Sequence, residues 1–366
     1  MTRRIRALLL SGLLGLATGV VVPQTIAAGD GTSPVHLTNE QDRQRLLDLL
    51  KITSLRPGRN GSNKADPNYA NYDESKANPY PNLPDPLTLN NGKKIAKPSD
   101  WWSKRRPQIV ATFDSEIYGR VPKNIPAVRW VVEKTENGKN GDVDTVTKTL
   151  SGVVDNSIAP DIEVKIGLIL VTPANAKGPV PVVLLFSGLG FGFPISATGA
   201  TPPPSGPPYP PNGFALARGG STGRGPALAG RGPGRGPQGP TAPQQILARG
   251  WGYALLNTGS IQADNGEGLT LGIIGLVNRG KPRKADDWGV LRAWAWGASK
   301  ALDYFETDKA VDARHVALEG HSRWGKATLV AMAYDQRFLD RVCEFVRRGR
   351  RQVAPPRLGR NCGEPG

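Results

Sequence analysis

Ser322 sits in the run GHSRWGK, residues 320–326, with Gly320 two places before it and Gly325 three places after it. A serine hydroxyl attacks a carbonyl only if a base takes its proton and fixed donors receive the developing negative charge. The flanking residues offer the geometry for that. Residues 315–318 have strand character, 319–323 form a turn, and 324–334 predict a helix. Such a unit lifts the hydroxyl to the carboxyl edge of a sheet and aims the first helical amides at the oxyanion. Strand and helix then approach closely, so Gly320 is expected on the near side of the serine. Gly325 makes the pattern G-x-S-x-x-G, a variant of the common elbow. His321 adjoins the serine, but neighbours at a tight turn point apart, and it is expected to pack or hydrogen-bond beneath the turn.

The base is harder to find. The histidines are His36, His315 and His321, and all precede Ser322. In an α/β-hydrolase the acid and then the histidine come from loops after the nucleophile, yet the residues after Ser322 include no histidine. His315 lies seven positions earlier on the strand, about 20 Å away at ~3.3 Å per residue. His36 belongs to the N-terminal segment, and nothing in the sequence places it near the serine. General-base catalysis requires contact at about 2.6–3.2 Å, directly or through one water, and none of the three is expected to achieve it.

Several elements must position Ser322. Residues 180–186 (VPVVLLF) carry no polar side chain and end in Ser-Gly, the pattern of a strand buried on both faces. Residues 253–256 predict a second central strand, while 128–132, 144–150 and 162–173 predict a meander. Ser99 or Asp100 can cap a helix with Trp102, Ile109, Val110, Phe113 and Ile117 on its apolar side. Asp286 and Asp287 are read as the cap of a further helix whose Trp288, Leu291, Trp294, Trp296, Leu302 and Phe305 form a core stripe. Glu267 is read as a loop residue. The order strand, helix, strand, turn, helix predicts an α/β fold with a mostly parallel sheet and flanking helices.

Composition sets the surroundings. Arg3, Arg4 and Arg6 precede an apolar stretch at 7–22 and small residues at 25–28, so residues 1–28 read as a secretory signal peptide and the protein as exported, with no stable membrane anchor. Residues 29–98 read as an extended N-terminal segment, 99–340 as the catalytic domain, and 192–243 within it as a Pro/Gly/Arg-rich insert. The net charge of +16 is concentrated in the leader, the insert and the tail at 341–366, which argues against a folded basic face and against nucleic-acid binding. No metal or cofactor is expected.

The wider sequence narrows the chemistry. GHSRWGK resembles the G-C/H-S-R-x-G-K signature of glucuronoyl esterases, carbohydrate esterase family 15, especially its bacterial branch. The resemblance runs over about residues 100–338 outside the insert, including RRPQIVATFDSEIYGRVP at 105–122, GWGYALLNTGSIQADNGEGLTLGIIGL at 250–276, and the stretch at 286–338. It implies an α/β-hydrolase fold and hydrolysis of esters between xylan glucuronic acid and lignin alcohols. It also implies Ser322 as nucleophile, Arg323 as oxyanion stabiliser through its amide and guanidinium, and Lys326 as a donor to sugar hydroxyls. An acetyl xylan esterase is the alternative enzyme, and a non-catalytic truncated product is the alternative to both.

After Phe338 the composition turns to arginine without helical or strand period. A codon choice for this tail, read one nucleotide later from within Arg341, yields AFVSSSGAGGAKLHRR, which resembles the segment after the elbow helix in the bacterial enzymes. The expectation is an out-of-frame tail, a fold incomplete at its C-terminus, accidental cysteines at 343 and 362, and a chain without its acid and histidine.

Overall fold

The computed structural model describes residues 33–76, 82–187 and 240–338. The leader at 1–28, nearly all of the insert and the tail with Cys343 and Cys362 lie outside those residues.

The elements run in order α1 (Asn39–Leu49), α2 (Pro98–Asp100), a π-helical turn (Trp101–Arg105), α3 (Arg106–Glu116), β1 (Val128–Asn140), β2 (Val143–Val154), β3 (Lys165–Pro173), β4 (Val180–Ser187), α4 (Ala242–Leu247), β5 (Gly252–Asn257), α5 (Gly272–Val277), α6 (Val290–Phe305), β6 (Val311–Glu319) and α7 (Arg323–Tyr334). The described strands form one sheet in the order β1-β2-β3-β5-β4-β6. The α/β-hydrolase class is as expected, but the sheet is mixed. β1, β2, β3 and β5 pair antiparallel in succession, while β4 runs parallel to β5 on one side and to β6 on the other. Short connections favour hairpins. Gly141, at φ 61°, opens the two-residue turn between β1 and β2. The crossovers that make parallel pairs are confined to the end of the sheet that carries Ser322.

β4 is buried on both faces, as its unbroken apolar run predicts. Val182, Leu184 and Phe186 join the main core under α6 and α7, and Val183 and Leu185 join a smaller one with Leu247 and Tyr253. The tryptophan-rich stripe packs as expected. Trp288, Trp294, Trp296, Leu302 and Phe305 are all buried, and Trp288 meets Trp296 edge to face. α6 is clamped to α7 by Arg292, whose guanidinium lies 3.3 Å from the centre of the Tyr334 ring. The Tyr334 hydroxyl in turn donates to Asp114 of α3 at 2.6 Å. Burial lowers the Arg292 pKa from its ordinary value.

Several boundaries differ from expectation. The segment at 29–98 is not wholly extended: Thr38 builds a capping box with Gln41 and starts α1. The helical region near Ser99 starts at Pro98 after Lys97, without a side-chain cap. Its expected apolar face is only partly used, since Trp102, Phe113 and Ile117 remain exposed. α6 starts after Gly289, not at Asp286 and Asp287. Asp286 pairs with Arg120 at 3.4 Å, and Asp287 accepts from the Lys284 amide at 2.7 Å. Burying Trp288 draws the chain into the core before the helix can begin. The insert also ends earlier than residue 243, because Thr241 caps α4.

Candidate active site

β6 ends at Glu319, and the chain turns through Gly320, His321 and Ser322 into α7. Ser322 adopts φ 58° and ψ −120°, a sparsely populated conformation for a residue with a Cβ. Gly320 is required by space: a Cβ there would lie 2.6 Å from the Trp324 carbonyl group and 2.8 Å from Thr328 Oγ1. Gly325 is buried on the inner face of α7. The result is an exposed hydroxyl on a strained turn at the carboxyl edge of a parallel strand pair.

The first turn of α7 partly satisfies itself. The Trp324 amide donates to His321 O at 3.1 Å, and the Lys326 amide to Ser322 O at 3.1 Å. The Arg323 amide has no backbone acceptor among the described residues, as befits a helix's first donor. Beneath the turn the strand ends are laced together. Trp324 Nε1 donates to Thr258 Oγ1 at 3.1 Å, and the Thr258 hydroxyl donates to Ser187 O at 2.9 Å. Thr258 directly follows β5 and Ser187 ends β4, so one buried hydroxyl holds the elbow to two neighbouring strands.

A cleft of about 240 Å³ opens beside the serine, lined by Asp264, Val290, Leu291, Trp294, Ser322, Arg323 and Lys326. The guanidinium of Arg323 is ion-paired with Asp264. Lys326 is exposed and makes no ion pair among the described residues. A larger groove of about 360 Å³ lies at Glu306, Ala313, Arg314, Gln336 and Arg337. It holds no nucleophile, and Arg337 is already paired with Asp303, Glu306 and Asp335, so the Ser322 cleft is the better site for chemistry.

No imidazole hydrogen-bonds the serine hydroxyl among the described residues. His315 is exposed and its Nδ1 lies 2.6 Å from Asp312 Oδ2 on the same strand. His36 is exposed ahead of α1. His321 corrects an expectation: it is exposed, not packed beneath the turn, a place taken by the Trp324 indole. Glu267, as expected, stays on an exposed loop, where Asn265 Nδ2 donates to it at 2.8 Å.

Asp264 and Thr258 escape sequence reading. Asp264 lies in an Asp-Asn-Gly run that signals only a turn, and its partner is remote in the chain. Periodicity assigns Trp294 to the core alone, yet it also walls the cleft. Its position at the start of α6, on the side facing Ser322, is the available signal.

A mixed sheet whose parallel end raises a serine on a strained strand-to-helix turn defines the α/β-hydrolase class. Residues 283–340 match the family model for fungal glucuronyl esterase. Over 323 residues the chain is 30% identical to carbohydrate esterase MZ0003 from an unknown prokaryotic organism, covering 81% of this chain and 65% of that protein. Among solved structures, a family 15 glucuronoyl esterase from Teredinibacter turnerae superposes with a TM-score of 0.62 at 33% identity, covering 82% of this chain and 65% of that one. A glucuronoyl esterase from Solibacter usitatus gives 0.51 at 33% identity, covering 70% and 62%. The chain is similar to glucuronoyl esterases of carbohydrate esterase family 15, and it spans 65% of the length of the first relatives it matches.

Proposed function

We propose that the Ser322 cleft is an acyl-transfer site for glucuronate esters, with xylan-borne glucuronic acid as the acyl group and a lignin alcohol as the leaving group. Ser322 is the nucleophile on this reading. The Arg323 amide and guanidinium receive the oxyanion, and Lys326, one helical turn further on, donates to the sugar hydroxyls. The supporting observation is the elbow itself: an exposed serine at φ 58° beside the Arg323 amide, which meets no backbone acceptor among the described residues. Val290, Leu291 and Trp294 offer an apolar wall for the ring and the departing alcohol. We further propose that the protein acts after export, with residues 1–28 as the leader.

The same observations carry a second statement. The sequence contains three histidines, and none bonds the Ser322 hydroxyl. We propose that this chain is inactive by itself, because none of these imidazoles is placed against the hydroxyl as its base. Hydrolysis of methyl glucuronate by the chain should equal that of Ser322→Ala. Added imidazole should then restore turnover to the chain and not to the variant. Turnover above the variant without imidazole would overturn the statement about the base. Equal response to imidazole in both would remove Ser322 as nucleophile, and faster acetate release from acetylated xylan than alcohol release from the glucuronate would move the substrate assignment.

A further inference from the structure

The cleft places Arg323 and Lys326 beside Ser322 with one anion, Asp264, in the same wall. The geometry points to Asp264 as a charge-balancing residue: by pairing with Arg323 it suits the cleft to an uncharged ester and weakens its hold on the carboxylate that hydrolysis produces. The inference rests on reading the cleft as an acyl-transfer site, and it adds a selectivity to that reading.

Ester hydrolysis consumes a neutral substrate and water and releases an alcohol and an acid, which ionises at neutral pH. Two unpaired cations at the acyl position would hold that acid by the same attraction that favours the oxyanion. Asp264 cancels one of them. The pair itself is a poor stability device, because both side chains are partly exposed, at 61% for Arg323 and 37% for Asp264, and exposed pairs contribute little to folding. The Asp264 loop is held by other means. On one flank Gln262 is buried, its carbonyl accepts from Trp294 Nε1 at 2.9 Å, and its Oε1 accepts from the Ile274 amide at 3.1 Å. On the other, the Gly266 amide donates to Asn39 Oδ1 of α1 at 3.1 Å, and Gly268 turns the loop at φ 78° with Leu37 Cδ1 2.9 Å from where a Cβ would stand. The carboxylate is thus delivered to Arg323 by a scaffold that does not depend on the ion pair. Contact distance is well inside a screening length of about 8 Å at physiological salt, so the cancellation persists under working conditions.

The test is a ligand-observed NMR titration of the full chain with two acid–ester pairs, glucuronate with methyl glucuronate and benzoate with methyl benzoate. Asp264→Asn should bind the carboxylates about five- to tenfold more tightly at low salt, with the esters unchanged and the gain reduced by added salt. Asp264→Glu should behave as the parent, and Arg323→Gln added to Asp264→Asn should abolish the gain. Asp264→Ser replaces Asp264→Asn if circular dichroism shows the latter misfolded. The inference falls if no carboxylate of either pair binds more tightly once the charge is removed, or if the matching ester tightens equally, which would mark a change of shape. A glucuronate pair that binds no form, while benzoate shows the gain, would remove the sugar assignment and leave the charge balance standing.

Discussion

The two ends of β6 handle polar groups in opposite ways. At its N-terminal end Asp308 is almost wholly buried and every oxygen is used. Lys148 Nζ donates to both carboxylate oxygens at 2.8 and 2.6 Å, the Tyr304 hydroxyl donates at 2.6 Å, and the Ala310 amide donates at 3.0 Å. That knot ties β2, α6 and the approach to β6 together. At the C-terminal end Ser322 is strained and exposed, its hydroxyl makes no hydrogen bond among the described residues, and the adjoining charges face a cleft. Satisfied and buried polar groups hold the strand at one end, and exposed ones, the Ser322 hydroxyl and Lys326 among them, line a cleft at the other. Stability and chemistry should therefore be separable by mutation along a single strand.

The sharpest break in that comparison would come from Asp308→Asn. It leaves Lys148 without its counterion, and the expected loss is about 3 kcal/mol, toward the lower end for a buried pair because Lys148 is 24% exposed. Chemical denaturation measures the loss, while binding at the Ser322 cleft should be unchanged. Burial of Asp308 opposes ionisation, but its hydrogen bonds from Lys148 and Tyr304 outweigh this and lower its pKa. A depressed folded pKa means the stabilisation is fully present above the ordinary aspartate value of about 3.9 and is lost as the pH falls through the folded value. The difference between parent and variant should narrow only on that acid limb. Narrowing above about pH 6, well clear of that range, would show that Asp308 is not the group responsible.

Gly320→Ala tests the opposite end through packing. Its Cβ would meet backbone 2.6 Å away, so strand and helix must separate at a cost of about 2–3 kcal/mol. Unlike Asp308→Asn, this variant should also lose ligand binding, measured by the same titration. A melting temperature equal to the parent's would mean that the elbow yields without strain. Thr258→Val removes the acceptor of the Trp324 indole, with an expected loss of about 1–2 kcal/mol and a shift in tryptophan fluorescence. The smallest effect has the opposite sign. Ser322→Gly relieves a positive φ that glycine tolerates and should be about 1 kcal/mol more stable than Ser322→Ala. Equal stabilities would show that the turn carries no strain.

Much of this architecture is legible in the sequence wherever a pattern is local. The polar-free run of β4, the tryptophan stripe of α6 and the Gly-x-Ser turn before α7 each announce themselves within a few residues. The antiparallel half of the sheet is visible as a meander, yet its weight against the parallel half depends on how many strands come to share the sheet. Pairings between distant segments stay hidden: Asp264 with Arg323, Thr258 with Trp324, and Asn39 with the Gly266 amide. The helix starts fail for a related reason. Asp286 and Asp287 are good caps in isolation, but burying the Trp288 side chain outweighs a cap worth about 1 kcal/mol.

The docking of α1 has a practical corollary. Asn39 and Leu37 brace the very loop that carries Asp264, and Arg45 reaches across to the Arg283 carbonyl at 2.9 Å. A shortened version trimmed to start near α3, tempting because the described residues between 52 and 97 add no buried side chain to the core, would discard this brace along with the apparent slack. It could keep every strand of the sheet and still return an altered ligand preference, so screens that shorten such proteins for convenience should retain the stretch from Val35 to Leu49.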